Sequence, residues 1–315
     1  MNNRCFYCYN PLGADELDFH PDCSRKLFGT KQPPELPYTQ EQIKQLALKA
    51  VQSQVTVPGV QPKLSLDLKA VTNEKGIKRF TIMGFEGEYI LKPPSEHWEQ
   101  LPELEDLTMH MAAAAGIKTV PHSLIRMGEG ALAYITKRID RKGRQKIHME
   151  DMAQLTERMT EQKYLGGYEQ VLRAIVSYSV NPGLDTLRFF EVLVFSFLTG
   201  NSDMHLKNFS LINQPKLGYV LSAAYDLVPA AIVLPDDKEE MALHLNGKKH
   251  KISRKDFESL FARAQLLPQQ NERIFEKMQE AIPTWQKQIA NSFITEANKK
   301  RFLALIEKRA RRLGI

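Results

Sequence analysis

The chain has 315 residues, 43% of them apolar and 25% charged, with a formal net charge of +6. That length exceeds one small core and fits two lobes, and the balance is that of an ordinary globular protein. The longest apolar stretches, near 189–198 and 218–232, fall short of the ~18 uninterrupted apolar residues of a membrane span, and "MNNRCFYCYN" lacks the basic-then-apolar order of a signal peptide. No membrane association is expected, and a cytoplasmic location follows by default.

Residues 1–30 stand apart, because all three cysteines fall there. The pattern Cys5-x2-Cys8-x11-His20-x2-Cys23 consists of two short pairs at metal-ligand spacing. Zn²⁺ takes four such ligands tetrahedrally, and a segment this short has no core of its own to keep it folded. A structural Zn²⁺ site is therefore expected. The alternative is a set of reduced buried thiols, since a cytoplasmic disulfide is not expected. Phe6, Tyr7 and Tyr9 then pack around the site, or stack on bases if the segment is a nucleic-acid knuckle.

A proline-rich linker follows, "KQPPELPYTQ", and cannot be helical throughout. Residues 40–52 read as a helix with Thr39 as its N-cap. From 55 to 140 the pattern is strand-like. "KLSLDL" alternates, "RFTIMGF" and "EYILKP" read as a hairpin around Gly84 and Gly87, and "HSLIRM" with "ALAYITKRI" as a second around Gly128 and Gly130. One helix interrupts them, Leu101 to Ala115, stopped by Gly116. A β-rich lobe is thus expected over 31–140.

A helical lobe is expected over 141–315. "MEDMAQLTERM", "YEQVLRAIVSYSV", "LDTLRFFEVLVFSFLTG" and the segments beginning at Ser253, Pro268, Pro283 and Thr295 show apolar spacing near 3.6. Only "FSLIN" and "GYVLSAAYD" read as strands. In the last helix, Lys299, Lys300, Arg301, Lys308, Arg309, Arg311 and Arg312 read as the solvated side of an amphipathic helix that buries Phe302, Leu305, Ile306 and Leu313. A nucleic-acid surface or a contact to an acidic protein are the alternatives.

A β-rich lobe joined to a helical one suits phosphoryl transfer, which needs little covalent chemistry from the protein. It needs a cation for the phosphates, oxygen ligands for magnesium, and a base for the attacking hydroxyl. Lys92 ends the strand "EYILK", and Glu105, flanked by Glu103 and Asp106, lies on the helix of the β-rich lobe where it can hold that lysine. Asp203 and Asn208 share one loop after a buried helix, and Asp226 closes the strand "YVLSAAYD". An oxygen-only pair of Asn208 and Asp226 suits Mg²⁺. Singly these signals are weak: a lone lysine after a strand is normally a surface residue and a lone aspartate in a turn is normally a cap. Their order along the chain gives them weight.

The blocks "TVPGVQPKLSL" (56–66), "YILKPP" (89–94), "GNSDMHLKNFSL" (200–211) and "AAYDLVPA" (223–230) together resemble the HipA-like toxin kinases, in family order and over roughly residues 40–315. The resemblance implies an α+β, two-lobed, protein-kinase-like fold, ATP with Mg²⁺, and a serine/threonine kinase that serves as the toxin of a toxin–antitoxin module. By position it implies that Gly59, Val60, Gln61 and Lys63 face the phosphates and Lys92 binds ATP. It makes Asp203 the base, and puts His205 and Asn208 near nucleotide and metal. Tyr225 and Asp226 serve adenine and Mg²⁺, and Gln154 lies near the ribose. Thr56 or Ser53, just ahead of the glycine loop, is where such kinases modify themselves. Chain length matches the short, split form of the family (HipT-like), in which a second small protein supplies the domain ahead of the kinase lobes. The expected partners are a protein substrate of the aminoacyl-tRNA synthetase class, antitoxin proteins, and DNA only through an antitoxin. A small-molecule phosphotransferase and a non-catalytic member of a DNA-bound repressor complex are the alternatives.

Overall fold

Leu64, Leu66 and Leu68 alternate along β1 (Leu64–Lys69), and the first two bury their side chains almost completely. A strand so apolar on one face finds its place inside a sheet rather than at its edge. In the computed structural model, which describes residues 3–43, 45–46, 63–69, 78–82, 87–143 and 145–315, β1 pairs on one side with β2 (Arg79–Ile82) and on the other with β3 (Tyr89–Lys92). With β4 (His122–Arg126) and β5 (Leu132–Lys137) they form one five-stranded antiparallel sheet in the order β2-β1-β3-β5-β4.

The expected hairpin of β2 with β3 is therefore not formed, because β1 lies between them. Phe80 and Tyr89 meet edge-to-face at 5.3 Å across β1, a contact this order makes. The chain entering β3 runs so close to β1 that a Cβ on Gly87 would sit 2.3 Å from the Leu66 carbonyl oxygen, so only glycine fits. The second hairpin forms as expected, β4 with β5. Thr39 is the expected cap: its hydroxyl accepts from Gln42 N (3.2 Å) while Gln42 Oε1 accepts from Thr39 N (3.0 Å).

The chain divides into two compact units. One comprises Met1–Asp106, Val120–Gln145 and Asn291–Ile294, the other Leu107–Thr119, Lys146–Ala290 and Thr295–Ile315. The first unit has the sheet, and its core runs without a break from Phe6, Phe19, Leu27 and Phe28 to Leu66, Phe80, Tyr89 and Leu91.

The second unit is mainly helical, with Tyr168–Tyr178, Pro182–Thr199, Arg254–Arg263, Pro268–Asn291 and Glu296–Leu313 as its longer helices. A small sheet accompanies them, with Ser210–Gln214 between Met149–Asp151 and Gly218–Leu221. Two expectations are corrected here. Residues 149–151 are strand rather than helix, because the Asp151–Gln154 capping box starts the helix only at Met152, leaving the preceding residues to pair with Ser210–Ile212. The helices expected from Pro268 and Pro283 are one helix of 24 residues with Pro283 inside it. Met278, Ala281, Trp285 and Ile289 continue one buried stripe past the proline, and Trp285 donates from Nε1 to the Met111 carbonyl at 2.8 Å.

The last helix departs from a solvated basic side. Lys299 is buried and donates to the Ala290 carbonyl (2.9 Å), Arg309 is buried against Phe197 and its carbonyl, and Arg312 pairs with Glu240 at 2.5 Å. With Arg301, which donates to the Ile232 carbonyl (3.2 Å), four of the seven basic residues thus hold the unit together instead of facing an acidic partner. Among the described residues no helix is long and apolar enough to cross a membrane.

The buried helix Pro182–Thr199 ends at Gly200, whose φ is +82° and whose added Cβ would lie 2.6 Å from Leu305 Cδ2 and 3.1 Å from Ala231 Cβ. Gly200→Ala is expected to destabilise the chain by about 1–3 kcal/mol, combining the left-handed backbone penalty with overpacking. Denaturant unfolding monitored by fluorescence measures this, and an unchanged midpoint would contradict it.

Candidate active site

Lys92 is the last residue of β3 and is only 3% exposed. Its Nζ donates to Glu105 Oε1 at 2.5 Å and lies 5.4 Å from the Tyr134 ring centre. The helix Leu101–Ala114 gives its three early acids three different surroundings. Glu105, fully buried, takes the lysine. Asp106 accepts from the Tyr9 hydroxyl (2.7 Å) and pairs with His122 Nδ1 (2.8 Å). Burial pushes the Glu103 carboxyl up to about 7, with Asp106 and Glu99 adding repulsion. The acid on the lysine is thus Glu105.

In the second unit, the loop after Gly200 bonds largely to itself. Asn201 Oδ1 accepts from Asp203 N (3.2 Å), and the Asp203 carbonyl accepts from both His205 N and Asn208 Nδ2 (2.9 Å each). From outside, the Lys163 carbonyl accepts from Leu206 N (3.2 Å) and the Tyr168 hydroxyl donates to the Met204 carbonyl (3.0 Å). Between Gly200 and Phe209 only Asp203 has an exposed side chain. The Asn208 amide nitrogen is committed, which leaves Oδ1 as the atom that could serve a metal.

Asp226 does not end a strand, since the strand stops at Leu221. It sits five residues later with φ of +56°, a left-handed backbone uncommon for a non-glycine residue and often found at functional positions. Asp203 and Asp226 both act electrostatically on His205, so the structure brings these three together. Tyr225 is turned inward, its hydroxyl donating to the Lys207 carbonyl (3.0 Å) and 2.5 Å from Ser210 Oγ. Gln154 has its Oε1 occupied by the capping box at Asp151, and Lys63 is exposed just ahead of β1. Gly59, Val60, Gln61, Ser53 and Thr56 lie outside the described residues.

Two partners of the loop escaped sequence reasoning. Tyr164 donates from its hydroxyl to Asp203 Oδ1 at 2.5 Å and packs edge-on to His205 at 5.0 Å. Asp151 takes Lys207 at 2.9 Å. A separation of 39 residues in the first case, and 56 in the second, leaves no periodicity or spacing to read.

At the other end of the chain, Cys5, Cys8, His20 and Cys23 bring their ligand atoms within 4.8 Å of one another. Cys8 Sγ is 3.4 Å and Cys23 Sγ 3.8 Å from His20 Nδ1. All three cysteines are free thiols, and burial followed by mutual repulsion pushes the Cys23 thiol far up. Phe6 and Tyr9 are buried against Phe293, edge-to-face at 5.2 Å each, so neither ring is available to stack on a base.

This combination is that of a kinase-like fold: a lysine–glutamate pair beside an antiparallel sheet in one unit, and in the other an Asp-x4-Asn loop with a downstream aspartate. The HipA-like C-terminal domain model matches residues 55–286, and the chain belongs to that family. The chain is similar to HipA of Shewanella oneidensis, solved in complex with HipB and operator DNA (TM-score 0.66, 19% identity, 89% of this chain and 73% of that one). It is also similar to the proinflammatory kinase CtkA of Helicobacter pylori (TM-score 0.53, 16% identity, 71% of this chain and 87% of that one). At these identities the likeness is one of fold. By sequence it is 32% identical to the candidate kinase Y4dM of Sinorhizobium fredii, over 67% of this chain and 54% of that protein. A candidate kinase of Haemophilus influenzae is 27% identical, over 62% and 58%. The chain spans about half the length of the curated relatives it matches.

His205 is 6% exposed, and its Nδ1 has no hydrogen-bond partner among the described residues. Burial lowers its pKa from 6.5 to about 4, Lys163 adding to this and the two aspartates opposing it. The folded state therefore keeps His205 neutral where the unfolded chain takes up a proton, so the unfolded state binds more protons between those values. His205 stability is fully present above about 6.5 and is lost as the pH falls towards about 4. This linkage amounts to roughly 3 kcal/mol at most. His205→Asn is expected to flatten the slope of unfolding free energy against pH in that window, measured by denaturation at a series of pH values. An unaltered slope would contradict the assignment.

Proposed function

We propose that the chain is an ATP- and Mg²⁺-dependent kinase that phosphorylates serine or threonine hydroxyls of a protein. The observation that carries this reading is the Asn201–Asn208 loop, whose bonding holds one exposed carboxylate, Asp203, on a frame that is buried except for the half-buried Lys207. Mg²⁺-ATP, when bound, supplies the phosphoryl group and the charge that offsets its developing negative oxygens. The residues present fit that group: Asn208 Oδ1 and the Asp226 carboxylate are the hard oxygen donors that magnesium prefers. Lys92, oriented by Glu105, serves the phosphates, and Gly59, Val60, Gln61 and Lys63 supply the phosphate-facing loop. Tyr225 and Gln154 serve the base and sugar. Asp203 orients the substrate hydroxyl and accepts its proton at a carboxylate oxygen. His205 stays neutral and adds no charge beside it.

The substrate class in this reading is an aminoacyl-tRNA synthetase or another translation component, with Thr56 or Ser53 modified by the kinase itself. The likeness to a HipA solved in complex with HipB and operator DNA supports an antitoxin partner; in this reading DNA is reached only through that partner.

Asp203→Ala is expected to lower phosphoryl transfer by about 10²–10⁴-fold while ATP binding persists. Asp226→Ala is expected to abolish transfer together with Mg²⁺-dependent nucleotide binding. The measurement is label transfer from ATP to protein, with phosphoproteomics after brief expression of the wild type against Asp203→Ala. Substantial activity in either purified variant, or label passing only to small molecules, would overturn the reading. Phosphate on Thr56 or Ser53 in the wild type and not in Asp203→Ala is the expected sign of self-modification.

A further inference from the structure

Cys5, Cys8, His20 and Cys23 do more than share a spacing. In a tetrahedral zinc site with Zn–S near 2.3 Å, neighbouring ligand atoms stand about 3–4 Å apart. The two measured separations, 3.4 and 3.8 Å, lie in that range. His20 Nε2 is 3.0 Å from the Pro11 carbonyl oxygen, which can only accept, so the proton sits on Nε2 and the Nδ1 lone pair is directed at the sulfurs. That is the backbone partner by which metal-binding histidines are usually fixed. Two backbone bonds close the Cys5–Cys8 turn, Cys5 N to the Asn10 carbonyl and Tyr9 N to the Cys5 carbonyl, both 2.9 Å.

The cluster is also wired into the sheet. Tyr9 directly follows Cys8, with φ of +62° and its carbonyl held by Arg4 (2.9 Å). Its buried hydroxyl donates to Asp106 Oδ2, and Asp106 is the covalent neighbour of Glu105, the acid on Lys92. On the far side of the segment, Asp18 takes the Arg126 guanidinium with two bonds of 2.7 and 3.0 Å, and the Tyr89 hydroxyl donates to the Leu27 carbonyl at 3.0 Å. Both bonds reach strands of the sheet that carries Lys92.

We propose that Cys5, Cys8, His20 and Cys23 bind one Zn²⁺, and that this ion, through the Tyr9–Asp106 bond, fixes Glu105 in place for Lys92. Three thiolates and a neutral imidazole fill all four positions, so the ion is structural, and its binding releases thiol protons to solvent. The consequence for nucleotide binding, though not the metal site, rests on the kinase reading of Lys92.

The test uses the full chain purified without chelator. Elemental analysis is expected to give one zinc per chain, and Co²⁺ exchanged into the site is expected to show the visible bands of tetrahedral cobalt with sulfur-to-metal charge transfer. Cys23→Ser is expected to lose the metal. Tyr9→Phe, which spares all four ligands, is expected to keep it yet to speed amide hydrogen exchange in residues 101–106. That variant is also expected to weaken binding of a non-hydrolysable ATP analogue roughly threefold to tenfold. A zinc-free, cobalt-silent wild type overturns the metal site. Unchanged exchange and affinity in zinc-loaded Tyr9→Phe overturn the link to Glu105. Zinc and the exchange effect in a wild type that binds no nucleotide support this inference and overturn only the kinase reading.

Discussion

Lys92 and Glu105 meet at 2.5 Å with 3% and 0% of their side chains exposed, so two opposite charges are buried against each other. Desolvating each ion costs several kcal/mol, recovered only while the partner stays within reach. The pair therefore ties the end of β3 to the first turns of the helix Leu101–Ala114 more strictly than apolar packing would. Placing β5 next to β3 brings Tyr134 beneath the lysine, and placing β1 on the other side of β3 buries Tyr89. Truncating either partner removes the closest counter-charge of the other, so this spot tolerates change poorly even if it never touches a ligand.

The Asn201–Asn208 loop solves a different problem. A carboxylate that works in water must be exposed, yet a loop held only by solvent would not keep it in one position. Here the backbone on both sides of Asp203 is bonded inward, through Asn201, His205 and Asn208, and the buried residues around it supply rigidity. His205 contributes by remaining uncharged. Under the kinase reading, a charged His205 would compete with the metal for the same aspartates.

The helix Pro182–Thr199 and its glycine stop were legible, because an apolar run with a clear terminator is a local signal. So was the hairpin of β4 and β5, whose turn lies between its strands. The β2–β3 pairing was misread because a strand from earlier in the chain entered between them, and order in sequence does not report that. "MED" at 149–151 fits helical spacing as well as strand spacing, and only pairing with Ser210–Ile212 decides it. Pro283 was a reasonable stop signal that the buried stripe on both sides of it overrode. In the site, Lys92, Asp203 and Asn208 were legible from type and order. The choice among Glu103, Glu105 and Asp106 was settled by burial and partners, which the sequence does not display. Tyr164 and Asp151 act across long separations and left no trace.

Tyr164 already holds one oxygen of the exposed Asp203 carboxylate. Its phenol donates to Asp203 Oδ1, and burial together with the aspartate keeps that phenol protonated. Under the kinase reading, an arriving alcohol must use the other carboxylate oxygen or trade places with the tyrosine. At 40% exposure, Tyr164 needs only a side-chain rotation to make way. The loop is thus shaped around a resident hydroxyl before any protein docks. In that reading, evicting this occupant costs the same whichever substrate arrives, so it sets a common threshold, and discrimination among substrates has to be made elsewhere on the surface.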